Sequence, residues 1–241
     1  MAFVVDRVFL PASRRVYADP EERWRVSATC LAFLDHCLAS LDMRALFADD
    51  STPDAPVLEQ LARHPGFEVL KRLLAGTPVL RELLAFLHPD PGAAGFEAVN
   101  AQGARPTPFT EAVRSALRIV LRVLQLQDTF LAVLLPALSE AGGALRAAAG
   151  SRAAYMPLDM HLLHAHGVVV QVALFVNCVQ DDIALLALRT LALLAQSRTF
   201  RATDRFGGTL HRQSMNRLVG VLVMTDEAFH HKSGVLVWIE S

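Results

Sequence analysis

The sequence predicts an all-α protein, an α-solenoid of irregular HEAT/armadillo-like antiparallel helix pairs. Two positive observations predict it. Apolar residues recur at three- and four-residue spacing through most of the 241 residues. Pro, Gly and capping Asp or Thr then divide that pattern into helix-length pieces joined by short loops. A third observation is negative: only Val4 to Leu10 and Val235 to Ile239 are short and β-rich, and the second reads equally well as an unfinished helix. No fixed-period consensus appears, so the stack is expected to be irregular.

Taken in order, Glu21 to Leu46 carries Trp24, Leu31, Leu34, Leu38 and Leu41 along one side of a helix, with Asp19 and Pro20 as N-cap and first residue. Pro56 opens a short helix closed by His64, Pro65 and Gly66. Phe67 to Ala75 repeats the pattern and ends at Gly76, a natural residue for the left-handed turn after a helix. Thr77 and Pro78 restart the chain, and Leu80, Leu83, Leu84 and Leu87 continue the apolar face until Pro89 and Pro91. The Pro- and Gly-rich stretch 88–108 is expected to be a mobile surface loop, the one internal break in a single solenoid segment covering residues 1–241. Phe109 to Gln125 resumes a helix in which Arg114, Arg118 and Arg122 recur every four residues, opposite Val113, Leu117, Val120 and Leu124; this stripe reads as a polar face. Asp128 to Glu140 is a further helix, Ala141 to Ser151 a weak linker, and Pro157 to His166, Val168 to Cys178 and Asp181 to Gln196 three more helices. Asp204 to Gly208 breaks the chain before helices over Leu210 to Met224 and Asp226 to Trp238.

Composition excludes several function classes. An apolar fraction of 53% fills a sizeable core and rules out a disordered tail. With 23 Lys plus Arg against 24 Asp plus Glu, the net charge of −1 offers no general attraction for nucleic acid or anionic lipid. Cys30 and Cys37 sit on one helix about 10 Å apart, too far to bridge, and with Cys178 they read as small core residues in a reducing compartment. Asp6 and Arg7 interrupt the apolar start, so no signal peptide is expected. The uncharged run Gly167 to Val179 is too short to span a bilayer, and Arg122, Asp128 and Pro136 are expected to interrupt the longer run Val120 to Leu138.

The search for chemistry is nearly empty, with no catalytic residue, cofactor or metal expected. His161, His164 and His166 with Asp159 are the best metal candidates, because imidazoles and a carboxylate are good zinc ligands. Their spacing of three and two lacks both the i, i+4 pair and the intervening Glu of a zincin helix, so capping and packing are the preferred roles; a metal-dependent enzyme is the remote alternative. Gly207-Gly208 lacks the Lys and Ser/Thr of a phosphate loop and reads as a turn, and His230-His231-Lys232 as a solvated face.

Five stretches in sequence carry a family resemblance: Glu21 to Leu38, HPGFEVLKRLL (His64 to Leu74), ALRIVLRVLQLQDTFLAVLLPAL (Ala116 to Leu138), MPLDMHLLHAHGVVVQVALFVN (Met156 to Asn177) and MNRLVGVLVMTDEA (Met215 to Ala228). Together, and above all in Gln127-Asp128 and Asn216-Arg217-Leu218, the chain resembles the middle region of the very large inner-ring scaffold nucleoporins, the giant adaptor α-solenoids of the nuclear pore complex. The resemblance implies a scaffold at the nuclear envelope that supports nucleocytoplasmic transport by binding short linear segments of linker nucleoporins, without nucleic acid and without membrane insertion. A generic HEAT/armadillo adaptor or a nuclear transport receptor segment is the alternative; a receptor for basic cargo would want a more acidic balance. A solenoid piece exposes apolar faces that neighbouring repeats cover. Phe3, Val4, Val5, Val8 and Phe9, with Val235, Leu236, Val237, Trp238 and Ile239, are the candidate interface, and self-association is the expected consequence.

Overall fold

Val5 and Phe9 are four residues apart, the spacing that stacks two side chains on one helical face, and both are buried in the core. The run Val4 to Leu10 is accordingly helical rather than β: a π-type turn over Val4–Phe9 passes into a short helix over Leu10–Ala12, together α1. The computed structural model describes residues 3–43, 53–87, 96–101, 103 and 105–197. The expected break at Asp204 to Gly208 and the two expected helices after it lie outside the described residues.

Helix α2 spans Pro20–Ala39, opened by Asp19, whose carboxylate accepts from the Glu21 amide. It stops short of the expected Leu46. Ser40 ends it by donating to the carbonyls of His36 and Cys37, and Leu41 and Met43 go into the core beyond the helix. Helices α3 (Ala55–Arg63) and α4 (Pro65–Leu74) share His64 as boundary residue: its extended backbone closes the first, and its Nδ1 accepts from the Gly66 amide to open the second. Gly66 is required by packing, since a Cβ there would lie 2.2 Å from the Cys37 carbonyl oxygen. That approach is where α4 crosses α2.

After α5 (Pro78–Ala85) the stretch read as a loop contains a helix, α6 (Phe96–Ala101). Its anchor is Val99, fully buried, and the Asn100 side chain accepts from the Val179 amide. Flanking Pro and Gly hid this turn, because one apolar anchor gives no periodicity to read.

Helix α7 (Pro108–Thr129) begins with a reciprocal cap in which the Thr107 and Thr110 hydroxyls each accept from the other's amide. It runs without a break through a widened π turn at Phe130–Leu134 into α8 (Leu135–Ala141). Pro136 explains the widening: it has no amide to donate and its ring crowds the preceding turn, and an extra residue in that turn relieves the clash. Arg122 and Asp128 do not interrupt this rod as expected. At 34 residues, with an 18-residue stretch of mean hydropathy 1.5, it is long and apolar enough to cross a bilayer by length and composition, yet it is the central core helix, with Ala116, Leu117, Ile119, Val120 and Val123 fully buried against protein.

The Ala-rich stretch expected to be a linker forms α9 (Gly143–Ala149), set off by Gly142 and Gly150 in left-handed conformations. Its last carbonyls, which a helix leaves unpaired, accept from Lys71 Nζ at Ala148 and from the Tyr155 hydroxyl at Ala149. Helices α10 (Leu158–His164), α11 (His166–Phe175) and α12 (Asp181–Gln196) complete the described chain.

The helices stack around α7, which packs against α2, α12, α10 and α4; α8 carries α9 and α3, and α11 lies on α12. The main partner of α7 is therefore α2, across all of α3–α6 in sequence, and this makes the solenoid-like all-α stack irregular. Phe130 joins its halves, its ring 5.6 Å from both Phe67 of α4 and Tyr155. No strand occurs among the described residues.

Candidate binding groove

Gly76 adopts a φ of +63° after α4, and Thr77 fixes the reversal by donating from its hydroxyl to the Arg72 carbonyl. Pro78 then starts α5 in a new direction. Opposite it, the free carbonyl of Leu74 accepts from the Met156 amide at 2.9 Å and meets His161 Nε2 at 3.2 Å, which ties α10 to the end of α4. The imidazole then lies on Gly76 so closely that a Cβ would stand 2.6 Å from its Cε1.

Between α5 and the α10–α11 pair this leaves a groove of about 390 Å³. Leu80, Leu84 and Val168 form a buried apolar floor, Gly76, Ala85, Ala165 and His161 the walls, and Arg81 the rim. No acidic residue lines it. Arg81 is exposed, and no carboxylate among the described residues pairs with it. The lining has no nucleophile and no acid–base pair, and the one imidazole is turned to a backbone carbonyl. Sequence periodicity had assigned Leu80 and Leu84 to the core and passed over Arg81. The available signal was a lone cation on an otherwise apolar face of a short helix.

The arginine stripe is a clasp rather than a merely wet face. Arg114 bonds to Glu111 of its own helix and to Asp182 and Gln180 at the start of α12. Burial alone would lower its pKa, but the bonds to Glu111 and Asp182 outweigh that and raise it. Arg118 and Arg122, further along the same stripe, pair with Asp35 of α2. Spacing displayed the stripe; only the fold could supply its carboxylates.

The metal candidates are put to separate uses. Asp159 is buried, accepts from the Met160 amide and takes the Ser197 hydroxyl. His161 serves the groove wall, His164 is exposed, and the His166 side chain lies outside the described residues. No three potential ligands converge among the described residues. Of the candidate interface, Val5 and Phe9 belong to the core, Val4 and Val8 are half-buried, and Phe3 is 72% exposed; Val235, Leu236, Val237, Trp238 and Ile239 lie outside the described residues. Cys30, Cys37 and Cys178 are buried and unbridged.

Comparison with curated proteins and with solved structures gives no match. A family model does match, described as nuclear pore complex scaffold, nucleoporins 186/192/205, and it covers residues 1–236. That span takes in helices α2, α7 and α12 and the groove, and the all-α stack agrees with it. The chain belongs to the nucleoporin 186/192/205 family of nuclear pore complex scaffold proteins, at the nuclear envelope.

Proposed function

We propose that the chain is a structural element of the pore's inner ring, that it holds linker nucleoporins by short linear segments in support of nucleocytoplasmic transport, and that it carries out no reaction. The observation behind this reading is the family match over residues 1–236. A rigid helical stack with a preformed apolar groove suits such a role, because docking onto preorganised helices spares the scaffold its own ordering cost. A second contact is proposed at the N-terminal turn, where Phe3 and the half-buried Val4 and Val8 offer an apolar surface to a neighbouring helical unit.

The test is a pull-down of the 241-residue chain against linker nucleoporins, read by mass spectrometry, beside the same chain extended by its flanking repeats. Recovery of linker segments by the chain alone is the expected result. Recovery only by the extended protein would make this piece a spacer; recovery by neither would promote the generic adaptor.

A further inference from the structure

We propose that the groove between α5 and α10–α11 receives a short acidic and apolar peptide segment of a partner protein, with apolar side chains on the Leu80–Leu84–Val168 floor and a carboxylate on Arg81. This deepens the linker-binding reading and rests on it. Size sets the first limit. A cavity of about 150 Å³ holds a benzene ring, so 390 Å³ admits roughly two large apolar side chains. The eight residues of α5 extend about 12 Å, so the segment engaged is only a few residues long.

Charge sets the second. On α4 and α7, Arg72, Arg114, Arg118 and Arg122 each meet a carboxylate of this chain, whereas Arg81 meets none among the described residues. With no acidic group in the lining, a carboxylate brought to Arg81 finds attraction and no opposing charge. A single guanidinium is too little for a nucleic-acid backbone. The walls are fixed in advance by the doubly used Leu74 carbonyl and the contact of His161 with Gly76.

The experiment uses fluorescein-labelled 15-residue peptides tiled across the linker nucleoporins recovered in the pull-down, titrated by anisotropy against the 241-residue chain. Binding peptides should pair apolar anchors with Asp or Glu. Arg81→Glu, on the surface, and Ala165→Trp, which fills the groove, should each weaken binding by about tenfold or more. A peptide with its acidic residue changed to Lys should prefer Arg81→Glu over the unaltered chain, a swap that misfolding cannot mimic. Unchanged affinity in both variants, or no recovery by Arg81→Glu of the Lys peptide, would overturn the groove while leaving linker binding in place. Failure of every linker nucleoporin to be recovered at all would remove both.

Discussion

Asp35 of α2 answers two arginines of α7 one turn apart: Arg122 donates from Nε at 2.6 Å and the Arg118 guanidinium stands 3.6 Å away. The carboxylate is buried while its partners are about two-fifths exposed, so it is the member that needs the pairing. Asp35→Asn should cost about 1–2 kcal/mol, between the value of a surface pair and that of a buried one. Urea unfolding would measure it, and the variant should lose part of the native chain's sensitivity to salt.

Gly66 and Gly142 separate two costs of adding a methyl group. At Gly66 the backbone is helical and the new Cβ would meet the Cys37 carbonyl; Gly66→Ala should therefore cost about 2–3 kcal/mol and part α4 from α2. At Gly142, with φ +73°, ψ −169° and open space around it, Gly142→Ala should cost about 1–3 kcal/mol of backbone strain alone. Gly66→Ala alone should lower hydrogen-exchange protection in α2 and α4; unchanged protection there would contradict the close crossing.

Burial pushes the Cys30 thiol up, with Arg15 opposing, and pushes Cys37 up in the same way. A raised folded pKa makes the native state hold its protons longer than the unfolded chain. The associated stability is intact below the ordinary thiol range near 8.5 and is lost as pH rises through it toward the folded values. Denaturation midpoints should fall above about pH 8.5, and Cys30→Ala should flatten that slope. Ellman's reagent should react with these thiols only as fast as the chain opens.

Gln127 carries a polar bond inside the core: its Oε1 accepts from the Leu158 amide at 2.7 Å, at the start of α10. Gln127→Leu should keep the volume, leave that amide unpaired and cost about 1–3 kcal/mol. Hydrogen exchange should show the loss first in α10, whereas Asp128→Asn, at an exposed neighbour, should change little.

Phe3 is the most exposed large apolar residue of the N-terminal turn. Sedimentation at rising concentration should show self-association that Phe3→Asp diminishes, since the substitution removes an apolar contact without opening the core. Concentration-independent monomer for the unaltered chain would remove this surface from consideration.

Helix periodicity made most elements legible, because a helix buries a stripe and the stripe repeats. The restart at Gly76, Thr77 and Pro78 was visible for the same local reason. What periodicity could not carry was anything decided between distant residues. Val99 gives α6 its anchor only because α11 comes to meet it. The start of the chain looked β-rich by composition until Val5 and Phe9 found a common core. Arg118 and Arg122 displayed a stripe, but their partner lies more than eighty residues earlier in sequence. The groove was least legible, since Leu80 and Leu84 carry the same pattern whether a helix or a cleft stands opposite.

The π turn at Phe130–Leu134 has a geometric consequence for the whole rod. One residue added to an α-helix advances its register by about 100°, so everything beyond it is re-clocked relative to everything before. Upstream, the helix serves α2 and α12; downstream, the same unbroken helix presents its apolar side to α9 and α3. The inserted residue acts as a mitre joint, letting one straight beam bear on two storeys that face different ways. Removing Ala132 would straighten the grain of that beam and turn Leu135 and Leu138 away from the storey they support.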